Sequence, residues 1–155
     1  MKAKINILTL LLSSSVFCSA YAATISAAPL VSVPSHESFF NSIKALCHKA
    51  FEGQVTVDNA SGGGFSNKKL MMHIRKCSDE KLEIPFHVGD DASRTWIITK
   101  TGSGLSLKHD HRHQDGSYDE STMYGGHTND AGWAQVQSFP ADEYSKQLFV
   151  KTGIP

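Results

Sequence analysis

The sequence predicts a mainly β domain of the α+β class, in which an N-terminal amphipathic helix precedes an antiparallel meander forming a small barrel or a strongly curved sheet. Three observations predict it. Apolar residues recur at helical spacing between Ser35 and Phe51. After that, short runs rich in β-branched and aromatic residues alternate with Gly- and Asp-rich turns. The turns are too close together for the crossovers that a parallel sheet needs.

The elements follow in order. Ser35 can cap a helix, and Phe39, Ile43, Leu46, Cys47 and Ala50 form one face of it, widened by Phe40 and Phe51. Gly53 stands where a helix ends. Gln54–Val57 alternates weakly as a first strand, and Gly62-Gly63-Gly64 marks a loop. Leu70–Lys76 and Leu82–Val88 read as strands, with Pro85 suggesting an edge or a bulge in the second. Gly89-Asp90-Asp91 is a turn, and Arg94–Thr101 is the clearest strand. Gly102-Ser103-Gly104 turns the chain into Leu105–His113. Asp115-Gly116 is a strong two-residue hairpin signal, with Tyr118–Tyr124 returning. Ala134–Phe139 reads as another strand, and Pro140 opens either a terminal helix through Tyr144 and Leu148 or a last strand.

The first residues read as a signal peptide. Lys2 and Lys4 give a positive start, Ile5–Phe17 an apolar stretch, and Ala20-Tyr21-Ala22 a cleavage pattern, so residues 1–22 are expected to be removed. The apolar stretch is too short to span a bilayer, which takes about 20 residues. Residues 23–34 are a small, Pro-containing lead-in, and residues 35–155 form one domain. Removing Lys2 and Lys4 leaves 13 basic against 15 acidic side chains, a nearly neutral chain with no basic stripe. That balance argues against nucleic acid as a partner. No later segment suggests a membrane span, and the sequence leaves the oligomeric state open.

Cys47 and Cys77 remain after cleavage, and an even cysteine count in an exported chain favours a disulfide. Closing that loop of about 30 residues is worth on the order of 3–4 kcal/mol in the chain-entropy account. The compartment is then oxidising: periplasmic or secreted.

The segment that stands out chemically is Leu105–Tyr124. In a strand, alternate residues share a face. Leu105, Leu107, His109, His111 and His113 therefore point one way, and Ser106, Lys108, Asp110 and Arg112 the other. A two-residue turn at Asp115-Gly116 sets Arg112 opposite Asp119, His111 opposite Glu120 and His109 opposite Thr122. On that register Tyr118, Glu120 and Tyr124 join the histidines, and Trp96 adds an aromatic wall. Such a face is too polar for an ordinary core and fits a ligand-lined cavity. His109, His111 and Glu120 are also a ligand set suited to zinc or another transition metal, which would activate water for hydrolysis. A third reading is a structural envelope protein without a ligand, its histidines satisfied locally. No Gly-x-Ser-x-Gly elbow or phosphate loop is present. The residues alone thus favour binding over catalysis.

The runs His87-Val88-Gly89-Asp90-Asp91-Ala92-Ser93-Arg94-Thr95-Trp96, Leu107-Lys108-His109-Asp110-His111-Arg112-His113 and Tyr124-Gly125-Gly126 resemble a group of small secreted bacterial proteins without an assigned activity. The resemblance covers about Phe39 to Phe149. It implies an envelope or secreted location and nothing about chemistry. In outline the helix and meander are also similar to calycin-type barrels of the lipocalin and nitrobindin kind, a likeness of fold alone.

Overall fold

The computed structural model describes residues 32–57 and 64–154. The expected signal peptide and almost all of the lead-in lie outside these residues. The described chain is mainly antiparallel sheet. Helix α1 (Pro34–Lys44) precedes β1 (Ala50–Gly53), β2 (Leu70–His73), β3 (Lys76–Cys77), β4 (Lys81–Val88), β5 (Asp91–Thr101), β6 (Gly104–His111), β7 (Tyr124–His127) and helix α2 (Glu143–Thr152). The strands run in the spatial order β1-β2-β4-β5-β6-β7, with β3 beside β4. The sheet is curved and does not close into a barrel, so the curved-sheet alternative is the one realised.

Helix α1 starts on Pro34, whose fixed φ suits the first helical position, with Val33 rather than Ser35 at the cap. It ends at Lys44, well short of the expected Phe51. Three local facts cut it. Cys47 is bonded to Cys77 on β3, with their Cα atoms 6.3 Å apart. His48 takes a left-handed φ of 66°. Its N–H then bonds the Ile74 carbonyl at 2.7 Å, while Ile74 N–H returns to Lys49 O at 3.1 Å. The chain is thereby turned into edge strand β1, and Phe51 pairs with Met72 instead of completing a helical face. Gln54–Val57, expected as a strand, lies beyond β1 and joins no ladder.

Pro85 stands in β4, which has neighbours on both sides. It lies opposite the break between β2 and β3, where the ladder on that side is interrupted and a residue without an N–H is tolerated. The irregularity in the β4–β5 pairing comes one step later, between Phe86 and Val88. Ala134–Phe139, also expected as a strand, is irregular, with Trp133 and Val136 exchanging backbone bonds. The terminal segment is the helix. Asp142 caps it by accepting the Ser145 N–H at 2.9 Å, and Gly153 ends it at a φ of 69°.

The register lays out the concave face in rows. Leu82, Ile98, Leu107 and Gly126 form one row across β4, β5, β6 and β7, and Ile84, Trp96, His109 and Tyr124 form the next. Phe86, Arg94 and His111 form a third. Helix α1 covers the apolar end, where Phe40 packs with Leu82, Ile84, Ile98 and Leu105. Glycine is required beside Tyr124. A Cβ on Gly126 would lie 1.7 Å from the Pro140 carbonyl oxygen, and one on Gly125 1.9 Å from that of Leu107. Buried Ser145 fixes α2 to this edge by contacting both the N–H and the C=O of Gly125, at 2.7 and 2.8 Å.

Candidate functional site at the hairpin end

The histidine hairpin forms, but on a different register from the one expected. Arg112 faces Tyr118, one residue off the predicted pairing with Asp119. The turn takes in Gln114 as well as Asp115-Gly116, with Gly116 at a φ of 86°. A one-residue slip exchanges the faces of a strand. Asp119, not Glu120, is therefore brought to the histidines. The returning chain then leaves the ladder. Asp119 accepts the Ser121 N–H at 2.7 Å, Met123 adopts a φ of 60°, and Tyr124 rejoins opposite His109, where Thr122 was expected.

The expected lining set is thus divided. His109, His111, Trp96 and Tyr124 come together. Tyr118 is exposed and lies under the Arg112 guanidinium at 3.5 Å, and Arg112 pairs with Asp110 at 2.8 Å instead of Asp119. Glu120 points away to Lys151 at 3.0 Å, each side chain being 69% exposed. The proposed metal set of His109, His111 and Glu120 is not assembled, and among the described residues no group of three His, Cys, Asp or Glu is placed to hold one ion.

The four rings that do meet pack against one another. The His109 ring lies 4.7 Å from Trp96 and 4.6 Å from Tyr124, and Tyr124 stands edge-on to Phe149 of α2 at 5.3 Å. His109 is only 4% exposed, and its Nδ1 has no hydrogen-bond partner among the described residues. Burial, reinforced by neighbouring His111 and Arg94, pulls its pKa down to about 4. It is therefore a neutral ring at pH 7. Burial also raises the Tyr124 phenol.

Open space lies at the hairpin end of the sheet. A cleft of about 500 Å³ separates Asp90, Asp91, Ala92 and Ser93 from Arg112, His113 and Gln114. His111 reaches one of its walls, at Ser93. Nε2 lies 2.9 Å from Ser93 Oγ, and Nδ1 lies 3.4 Å from Asp119 Oδ1 and 3.5 Å from Ser121 Oγ. The His111 backbone N–H donates to Thr122 Oγ1 at 2.9 Å, which fixes the strand beneath the ring. Arg94 is bonded to Asp91 and holds Nη1 3.3 Å from Ser93 Oγ. The Ser93 hydroxyl, Arg94 and the Ser93 N–H together keep the Asp91 carboxyl well below the usual range. Asp119 is lowered by the Ser121 hydroxyl and N–H, and further by His111 and His113. Both carboxylates are charged at neutral pH.

Ser93 and Asp119 are the residues that pattern reading missed. One signal was available. Asp-x-Ser occurs as Asp91-Ala92-Ser93, Asp115-Gly116-Ser117 and Asp119-Glu120-Ser121. Each closes an Asx turn, with the carboxylate accepting the Ser N–H at 2.9, 2.9 and 2.7 Å respectively. The third marks Asp119–Ser121 as a turn where alternation suggested a strand. Among known proteins, no family model, no curated protein and no solved structure matches this chain.

Proposed function

We propose that this chain is a periplasmic or secreted protein that binds a small molecule in the cleft at the hairpin end. The carrying observation is the cleft itself. Its volume of about 500 Å³ falls in the range of small-ligand sites, and a few convergent polar groups stand on its walls. Ser93, Arg112, His113 and Gln114 offer donors and acceptors. The Cys47–Cys77 disulfide supports an oxidising compartment.

The test is a thermal-shift screen of small esters, amides and sugars on the wild type and on Ala92→Trp, which fills the cleft. A compound that raises the Tm of the wild type, and not that of Ala92→Trp, supports the reading. Compounds that stabilise both proteins equally bind elsewhere and contradict it.

A further inference from the structure

We propose that Ser93 is a nucleophile for acyl transfer, served by His111 as general base and by Asp119 as positioning residue, so that the cleft takes a carboxylic ester or other activated acyl group. The inference rests on the cleft as the binding site and adds a covalent step to it.

Three groups from three segments converge. Ser93 is at the start of β5, His111 at the end of β6, and Asp119 in the turn beyond the hairpin. The Ser93 Oγ–His111 Nε2 separation of 2.9 Å is a hydrogen bond, and Ser93 forms part of the cleft wall, within reach of a ligand. Asp119 Oδ1, 3.4 Å from Nδ1, sits on the other side of the same ring. It is already held by the Ser121 N–H and hydroxyl, which fixes its place. Catalytic contacts in an unliganded site are often long and tighten as charge develops on the imidazole. A fourth group completes the set. Arg94 Nη1, 3.3 Å from Ser93 Oγ, brings positive charge beside the carbon that Oγ would attack. Asp91 is the competing neighbour, since its carboxylate accepts the Ser93 N–H at 2.9 Å and lies beside the hydroxyl.

In the reaction, Ser93 Oγ bonds to the acyl carbon while its proton passes to His111 Nε2. The carbonyl π pair moves onto oxygen, facing Arg94. Collapse of this tetrahedral centre breaks the bond to the leaving alkoxide, which takes the proton from Nε2. Water then attacks acyl-Ser93 by the same route, releasing the carboxylic acid and restoring the serine.

The experiment treats the full, disulfide-intact chain with a fluorophosphonate probe and with p-nitrophenyl acetate, locating adducts by peptide mass spectrometry. The expected result is one adduct, on Ser93. It is lost in Ser93→Ala, slowed at least about 100-fold in His111→Gln, and unchanged in Ser42→Ala on α1. Ser93→Cys transfers the reactivity to iodoacetamide. Circular dichroism identifies any variant that fails to fold. Long-range ¹H–¹⁵N spectra give a readout independent of turnover: His111 carries its proton on Nδ1, and Asp119→Asn shifts that tautomer. No adduct on the folded wild type, an adduct at another serine, or labelling that survives in folded His111→Gln overturns the proposal. If a thermal-shift ligand still binds the cleft while no adduct forms, the nucleophile falls and the binding site stands. If neither is seen, both fall.

Discussion

The two ends of the concave face are built from the same strands and differ in what holds them. At one end, Phe40 of α1 closes over Leu82, Ile98 and Leu105, and the Cys47–Cys77 bond ties the helix exit to the sheet. At the other, two residue rows along, the face carries Arg94 and His111, and the contacts are hydrogen bonds to Ser93, Asp91 and Thr122. Apolar burial is non-directional, so it fixes the first end without fixing exact side-chain aim. Hydrogen bonds are directional, and at the second end they aim particular atoms at one another. Between the two lies His109, buried like a core residue and polar like a site residue.

This contrast can be broken at the apolar end first. Removing the staple with Cys47→Ala/Cys77→Ala is expected to cost about 2–5 kcal/mol in chemical denaturation, while the folded fraction keeps ligand binding at the cleft. Gly126→Ala comes next. Its methyl group would run into the Pro140 carbonyl, and a backbone obstacle yields less than a side chain. A loss of about 2–3 kcal/mol is expected by urea titration, with the α2 docking weakened through Gly125 and Ser145.

The boundary residue has a pH signature. The folded pKa of His109 is depressed to about 4 from an ordinary 6.5. Below pH 6.5 the unfolded chain takes up a proton that the folded chain refuses. The contribution is therefore complete above pH 6.5 and lost as pH falls through about 4. His109→Phe is expected to keep the ring stack and flatten the Tm-versus-pH curve in that window. An unchanged slope would place the acid sensitivity elsewhere. The smallest effect belongs to Glu120. Its exposed pair with Lys151 is worth under about 0.5 kcal/mol, so Glu120→Ala should leave both stability and cleft binding as they were.

The sequence made the rows legible wherever β-branched and aromatic runs met short turns. The β5 strand around Trp96, the Gly102-Ser103 reversal and the inward row of Leu105, Leu107, His109 and His111 follow from alternation alone. The helix ran too long on paper because Cys47, Ala50 and Phe51 continue its apolar spacing. A covalent bond to Cys77 and a positive φ at His48 end it, and neither is a periodic signal. Half of the candidate site was visible for the same reason. His109 and His111 were placed by alternation, whereas their carboxylate partner depended on a register that one extra turn residue changes. Ser93 lies 18 residues from His111 and reaches it across the single β5–β6 turn, whose register alternation within either strand does not set.

The proposed ligand site lies at the hairpin end and not at the apolar end. Backbone amide shifts of ¹⁵N-labelled protein, titrated with the best compound from the thermal-shift screen, test it most directly. Binding at the cleft is expected to perturb Ala92, Ser93, His111 and His113 and to leave Phe40, Leu82 and Ile98 unmoved. Shifts gathered instead around Phe51, Met72 and Phe86, or under α1, would contradict it.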